Sequence, residues 1–358
     1  MVTTSSRPLG LLDNLPSVAI IASKRQKEKE MESEIEGRAG VRRVGTLAAA
    51  ARRPARPRAR AGSRAGSAAT RHDGRTALLF LAPALLGFGV FYIYPAIRGA
   101  YYSTTDYNLL SAPHSVGTAN YTALLHDPLF WNALKVTGYY VLLNIVSQTV
   151  LAIALAALMF RLTRSVAIRA MLLVPWLVPN VTVGLLFLWL FDADLGLVNH
   201  VMSGLGMSTH GWFSSTTWAM PTIALTNTWA YTGYTALLLY AGMLQIPGQI
   251  YEAALLDGAG EFRMFFRLTL PLMRPVLALV LVVSVIGSFQ IFDTVAITPT
   301  HGGPVNVTRV IYYYIYELAF THFRMGYASA VAMTLVLVLG TLTLLQMRLL
   351  RASRSDLA

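Results

Sequence analysis

The 358-residue sequence has no cysteine and only four lysines, at 24, 27, 29 and 135. The first absence excludes disulfides, thiolate metal sites and cysteine nucleophiles. No lysine follows a glycine, so there is no GxxxxGK[ST] loop to cradle a nucleotide's phosphates and no ATP-hydrolysing site of that type. The seven histidines show no HExxH or comparable ligand spacing, and no metal site is expected. Charge is scarce too: 13% of residues are charged, against about 25% in soluble domains. What fills the gap is apolar, with 55% hydrophobic residues and a mean hydropathy of +0.52. So few charges cannot cover a water-facing surface, whereas a bilayer accepts apolar surface. The composition predicts an all-α integral membrane protein.

The formal net charge of +12 is unevenly spread. Residues 1–75 hold sixteen Lys and Arg against seven Asp and Glu, leaving thirteen against ten for the rest. Within this tail, residues 23–36 (SKRQKEKEMESEIE) are densely charged. Residues 47–70 form an Ala/Arg/Pro/Gly/Ser tract with no apolar period and nothing to build a core from. The tail reads as a disordered basic cytoplasmic extension, or as an over-long start with Met31 as the true first residue. Contact with anionic lipid headgroups or nucleic acid is the functional alternative, and no specific nucleic-acid partner is expected. The Arg pairs at 42–43 and 52–53 have no closely following apolar core with a cleavage site, which argues against a twin-arginine signal.

Beyond residue 75 the chain reads as one domain, 76–350, followed by a short cytoplasmic C-terminus, 351–358. Apolar segments run at about 76–97, 134–159, 167–191, 219–244, 273–297 and 327–347. Each has the roughly 20 residues that cross about 30 Å of hydrocarbon as a helix. Six transmembrane helices are therefore expected. With the tail inside, the cytoplasmic loops and C-terminus hold nine Lys and Arg and the external segments four (Arg98, Lys135, Arg309, Arg324). This bias places both termini in the cytoplasm.

One loop, 245–272, is unlike its surroundings. Its YEAALLDGAGEFRMFFRLTLP (251–271) carries Glu252, Asp257, Glu261, Arg263 and Arg267 between two apolar spans. EAALLD favours helix, Gly258 and Gly260 offer a turn, and FRMFFRL restarts a helix with Phe262, Phe265 and Phe266 on one side. Such a hairpin either docks onto another protein or rests on the membrane face of its own bundle.

The residues of this loop carry a resemblance. Glu252, Ala253, Ala254, then Gly258, then Leu270 and Pro271 resemble the EAA signature of membrane subunits of bacterial binding-protein-dependent ABC importers. Leu268 stands where Ile is commoner. The longer EAALLDGAGEFRMFFRLTLPLMRP looks like the carbohydrate-uptake branch, which includes maltose, lactose and glycerol-3-phosphate permeases. FLAPALLGFGVFYIYP (80–95), GTANYTALLHDPLFWNALKVT (117–137), GSFQIFDTVAIT (287–298), HGGPVNVT (301–308) and GYASA (326–330) agree in order. The resemblance implies the six-helix permease fold in a bacterial inner membrane and half of a transmembrane path for a sugar or polyol. It also implies a second homologous permease, an ATPase subunit binding ATP and Mg, and an external solute-binding protein. This chain itself would bind no cofactor and catalyse nothing. Glu252 would pair with a basic residue of the ATPase, Ala253 and Ala254 would permit close approach, Gly258 would make the turn, and Asp257 belongs to the same coupling element.

Two polar stripes mark a possible path. Asn227, Tyr231 and Tyr234 are spaced i, i+4, i+7 on one helical face of the fourth span, and Gly287, Gln290 and Thr294 likewise share one face of the fifth. Polar groups at that depth face either a partner helix or a water-filled route. Asn144, Ser147 and Gln148 on the second span read as interhelical glue. The competing class is a proton-coupled secondary carrier, for which Asp293 is the one intramembrane carboxylate able to relay protons.

Overall fold

The computed structural model describes residues 79–162, 165–298 and 302–349; the readings of the tail 1–75 and the C-terminus 351–358 lie outside them. The described residues are helical and contain no strand, only an isolated antiparallel bridge between Thr105 and Ser115. The first helix, α1, is Leu79–Tyr102, with a π turn at Gly89–Ile93. It outruns its expected end because YPAIRGAYY continues the helix, with Pro95 absorbed near the start of the segment after the π turn. A short α2, Ala119–Leu125, leads to α3, Pro128–Leu162.

At 35 residues α3 is the longest element. At about 1.5 Å per residue it exceeds the hydrocarbon and projects beyond it. Its start is fixed six residues before the expected span: Asp127 Oδ1 accepts the Leu129 N–H at 2.8 Å, and Pro128 occupies the first helical position. Its buried residues, Phe130, Ala133, Thr137, Tyr140, Asn144, Gln148, Ala152, Ala156 and Met159, recur every three or four positions. They pass through three apolar clusters in turn: one around Phe130 and Ala133, one around Tyr140, and one around Ala152, Ala156 and Met159. Asn144 and Gln148 fall in the gap between the second and third.

The expected third span is not one helix. It divides into α4, Val166–Leu177, and α5, Asn180–Leu190, which meet at 90°. Pro179 has no N–H to continue the ladder and restricts Val178, which is extended at φ −80°, ψ 135°. After α6, Leu197–Gly204, comes α7, Ala219–Met243. It has the length of a span but not the apolar composition of α1, α3 or the last two spans. Its position explains why: α7 packs against α3, α4, α5 and α10 (Arg274–Phe289), so most of its residues are buried within the chain. Its threonine hydroxyls are satisfied, Thr222 and Thr226 each donating to the carbonyl four residues earlier at 2.8 and 2.9 Å. Gly233 lets α4 close on it, since a Cβ there would lie 1.8 Å from the Leu172 carbonyl oxygen.

The hairpin between α7 and α10 consists of α8, Gly248–Leu256, and α9, which starts at Glu261–Met264 and continues through a π turn, Phe265–Thr269, to Leu270–Leu272. The fifth span also breaks. After α10 ends at Phe289, Phe292 leaves helical geometry (φ −141°, ψ −56°) and α11, Asp293–Ala296, restarts. The chain then forms α12, Ile311–Tyr316, and α13, Met325–Leu349. Among the described residues, four helices are long and apolar enough to cross a membrane, or five with the bent α4–α5 pair. The sequence predicts six. The expected span that is not among them is the fourth, α7, whose composition falls short.

Candidate functional site

The two breaks meet. Together α3, the α4–α5 corner, α7 and the α10–α11 junction enclose a cavity of about 400 Å³. Asn227, Tyr231, Tyr234, Gln290 and Thr294 all line it, as does Gly287. The helical-face argument holds for α7 alone, because Gln290 sits at the C-terminal cap of α10 and Thr294 is already in α11. The break aims both at one space.

The lining is hydrogen-bonded to itself. Tyr231 Oη donates to Asn180 Oδ1 at 3.1 Å, and Asn180 Nδ2 donates to Asp293 Oδ2 at 3.2 Å. Asn227 Nδ2 donates to Thr294 Oγ1 at 3.2 Å and to the Ile223 carbonyl at 3.1 Å. The Trp176 and Tyr234 rings stack at 4.6 Å with planes 10° apart, giving one wall a flat apolar surface. Asn144 and Gln148 do two things. They bridge helices, Asn144 Nδ2 to Ser288 Oγ at 3.0 Å and Gln148 Nε2 to Thr235 Oγ1 at 2.7 Å, and both also line the cavity. Ser147 only bridges, with its Oγ 2.7 Å from Thr228 Oγ1. Sequence reasoning missed Asn180 and Trp176. The signal was the LVPNVT stretch, where a proline and then a lone asparagine interrupt an apolar run.

The second site is the α8–α9 hairpin. Gly258 has φ +72°, and around it the Gly258 N–H reaches the Leu255 carbonyl at 3.0 Å and the Ala259 N–H the Ala254 carbonyl at 2.9 Å. This is a Schellman ending, and its left-handed position favours glycine. Glu252, Ala253 and Asp257 are exposed. Ala254 is not: it is buried within this chain, because it lies on the inner face of α8, so its small size serves the chain's own packing. Leu270 and Pro271 are half-buried where α9 turns toward α10. The three phenylalanines do not share a side either. Phe265 packs on the Ala152–Met159 cluster while Phe262 and Phe266 are exposed, since the π turn at Phe265 shifts the register. With Leu255 and Leu256 they leave an uncovered apolar patch on the hairpin. The two arms of the hairpin are joined by a 2.9 Å hydrogen bond between Tyr251 Oη and Thr269 Oγ1, and an ion pair from Arg161, at the end of α3, to Glu261 ties the hairpin to the bundle.

At the other end of α3, Asp127 Oδ2 accepts the Tyr327 hydroxyl at 2.7 Å and also that of Tyr314. Burial pushes the Asp127 carboxyl up, but these two hydroxyls and the Leu129 and Phe130 N–H groups outweigh it and hold the group below the usual carboxylate range.

Residues 148–355 match the family described as "Binding-protein-dependent transport system inner membrane component". The sulfoquinovosyl glycerol transport system permease protein of Agrobacterium fabrum is 34% identical over 282 residues, 78% of this chain and 91% of that one. The lactose transport system permease protein of Rhizobium radiobacter is 34% identical over 274 residues, 75% and 91% of the two chains. In fold, the chain is similar to a solved bacterial ABC transporter that imports the acidic polysaccharide alginate, with TM-score 0.68 and 24% identity over 79% of this chain and 98% of that one. A family of this kind does not favour a proton-coupled carrier, and Asp293 loses its role as a relay. The chain is a multi-pass membrane protein and belongs to the family of inner-membrane components of binding-protein-dependent transport systems.

Proposed function

We propose that this chain is one of two permease subunits of an ATP-driven importer and that a sugar or related polyol crosses through the cavity at the α4–α5 corner. The observation that carries the reading is the convergence there of Asn, Gln and Tyr side chains with a flat aromatic wall, in the middle of an apolar bundle. Sugars present many hydroxyls and weakly apolar ring faces, and this lining has partners for both. The names of the relatives point the same way, since they transport sugars or sugar glycosides. The α8–α9 hairpin supplies the other half. Its exposed apolar patch and exposed Glu252 suit a cleft on an ATPase subunit, which would bind ATP and Mg, and an external binding protein would deliver the substrate. In this reading α7 is the sixth crossing, both termini are cytoplasmic, and the tail 1–75 is an accessory.

Uptake by the assembled transporter in membrane vesicles tests the cavity. Tyr231→Phe and Gln290→Ala are expected to reduce uptake several-fold at unchanged membrane abundance and ATPase association. Wild-type uptake by both variants would move the route elsewhere.

A further inference from the structure

We propose that the cavity favours uncharged saccharides over acidic ones, with Asp293 as the residue that sets this preference, in contrast to the similar proteins whose names carry a sulfonated or acidic saccharide; the inference rests on the cavity being the substrate route. Two observations carry it. First, Asp293 is the only charged side chain among the described residues that line the cavity, and no ion pair joins it to an Arg or Lys of the described chain. Second, four of the five side-chain amides of the lining already donate within the chain, and that of Gln290 alone has no intramolecular partner among the described residues. Asn227 Nδ2 is committed to Ile223 and Thr294, Asn144 Nδ2 to Gln148 and Ser288, Asn180 Nδ2 to Asp293, and Gln148 Nε2 to Thr235.

The network offers an incoming molecule the uncharged donors of Gln290 and two acceptors, the Asp293 carboxylate, which has lone pairs to spare, and the hydroxyl oxygen of Tyr231, whose proton points to Asn180; its one formal charge is negative. Sugar hydroxyls donate to such acceptors. A uronate or sulfonated sugar keeps such hydroxyls, but its acidic group brings only acceptor oxygens and adds a negative charge beside an existing one. A unit charge about 6 Å from a carboxylate, at an effective dielectric near 20, shifts local occupancy by on the order of a hundredfold. Salt lowers this to roughly tenfold or more at a partly solvated site.

The native sequence has no cysteine, so one introduced thiol in this chain reports its own surroundings. Ser284→Cys places a thiol on the cavity wall, and Ser111→Cys places one on an exposed segment outside the cavity as reference. The assembled transporter in vesicles is treated with methanethiosulfonate reagents of equal size, one ending in a sulfonate and one in a trimethylammonium. The cationic-to-anionic rate ratio at the cavity thiol is expected to exceed the reference ratio by at least about tenfold, and Asp293→Asn should bring it back toward the reference. Equal ratios at the two thiols would overturn the charge preference while leaving the cavity as a route. A raised ratio that Asp293→Asn does not change would overturn the assignment to Asp293. If neither reagent reaches the cavity thiol while both label the reference, the cavity is not an aqueous route, and the function proposed above fails with the inference.

Discussion

Adding one methyl group at Gly233 should pry the cavity open from behind. A Cβ at this position lies 1.8 Å from the Leu172 carbonyl oxygen and 2.8 Å from its carbon. Both are backbone atoms of α4, so no side chain can swing aside. A carbon–oxygen contact relaxes only near 3.2 Å, and α4 and α7 must therefore separate by more than about 1 Å or tilt. Overpacking of this kind costs roughly 1–3 kcal/mol, sometimes more. Replacing helical Gly by Ala returns at most about 1 kcal/mol. The net for Gly233→Ala is thus a loss of about 1–2 kcal/mol, or several degrees of melting temperature at about 2–4 °C per kcal/mol. Gly340, in α13, is the control: a Cβ there meets nothing within 4 Å, so Gly340→Ala should be neutral or slightly stabilising. The stacked Trp176 and Tyr234 rings sit across this seam, and their 4.6 Å contact should loosen as it widens. Thermal unfolding of the purified protein in detergent reads the first effect, and vesicle uptake reads the second. Wild-type melting for Gly233→Ala beside wild-type uptake would refute the reasoning.

Three further outcomes are expected. If Glu252 meets a basic residue of an ATPase in a partly desolvated cleft, Glu252→Ala should weaken docking by about 2–5 kcal/mol; Gly258→Pro should do so by destroying the Schellman ending, and co-purification with normal ATPase content would remove the hairpin's assigned role. Asp127 is held below the usual carboxylate range, so its contribution is present above the unfolded value near 3.9 and fades as pH falls through the lower folded value; Asp127→Asn should lower the melting temperature at pH 7 and have progressively less effect below about pH 4, while an equal effect at pH 7 and pH 3 would count against the tyrosine clamp. Deletion of residues 1–65 should leave uptake unchanged at equal membrane abundance, because the tail lies outside the matched residues 148–355 and has no apolar period.

How far the sequence could be read depended on how local the cause was. Apolar length is local, and α3, α10 and α13 lie within a few residues of expectation at most of their ends. Spacing along one helix is local too, and Asn227, Tyr231 and Tyr234, expected on one face of α7, all line the cavity. Gly258 was legible because a left-handed turn leaves a mark in composition. The misses were relational. A 90° corner at Pro179 depends on which neighbours will support the freed backbone, and a proline alone does not say whether a helix kinks or stops. The break after Phe289 carries no proline at all. Ala254 turned inward because of the face α8 presents to its own bundle, which a motif of small residues does not specify.

The connectivity links the two sites more directly than either stripe or motif suggests. The hairpin of α8 and α9 joins only two long helices, α7 at one end and α10 at the other. Those are the helices that lead to Asn227, Tyr231 and Tyr234 on one wall and to Gln290 and Thr294 on another. Between hairpin and cavity the contacts are tight. Gly242 of α7 would place a Cβ about 3.0 Å from the Val276 side chain of α10, and Met243, Met273 and Val280 share one buried cluster with Ala152, Ala156 and Met159 of α3. Interiors packed at this density transmit displacement and absorb little of it. The third link is Arg161, which ties the far end of α3 to Glu261 of the hairpin, although an exposed pair of this kind adds little binding free energy. A rigid displacement of the hairpin must therefore be carried by α7 and α10 together. The breaks at Pro179 and after Phe289 are where the backbone has lost its helical constraint and can take up the angular change. Both breaks border the cavity, so its shape is the first thing such a movement alters.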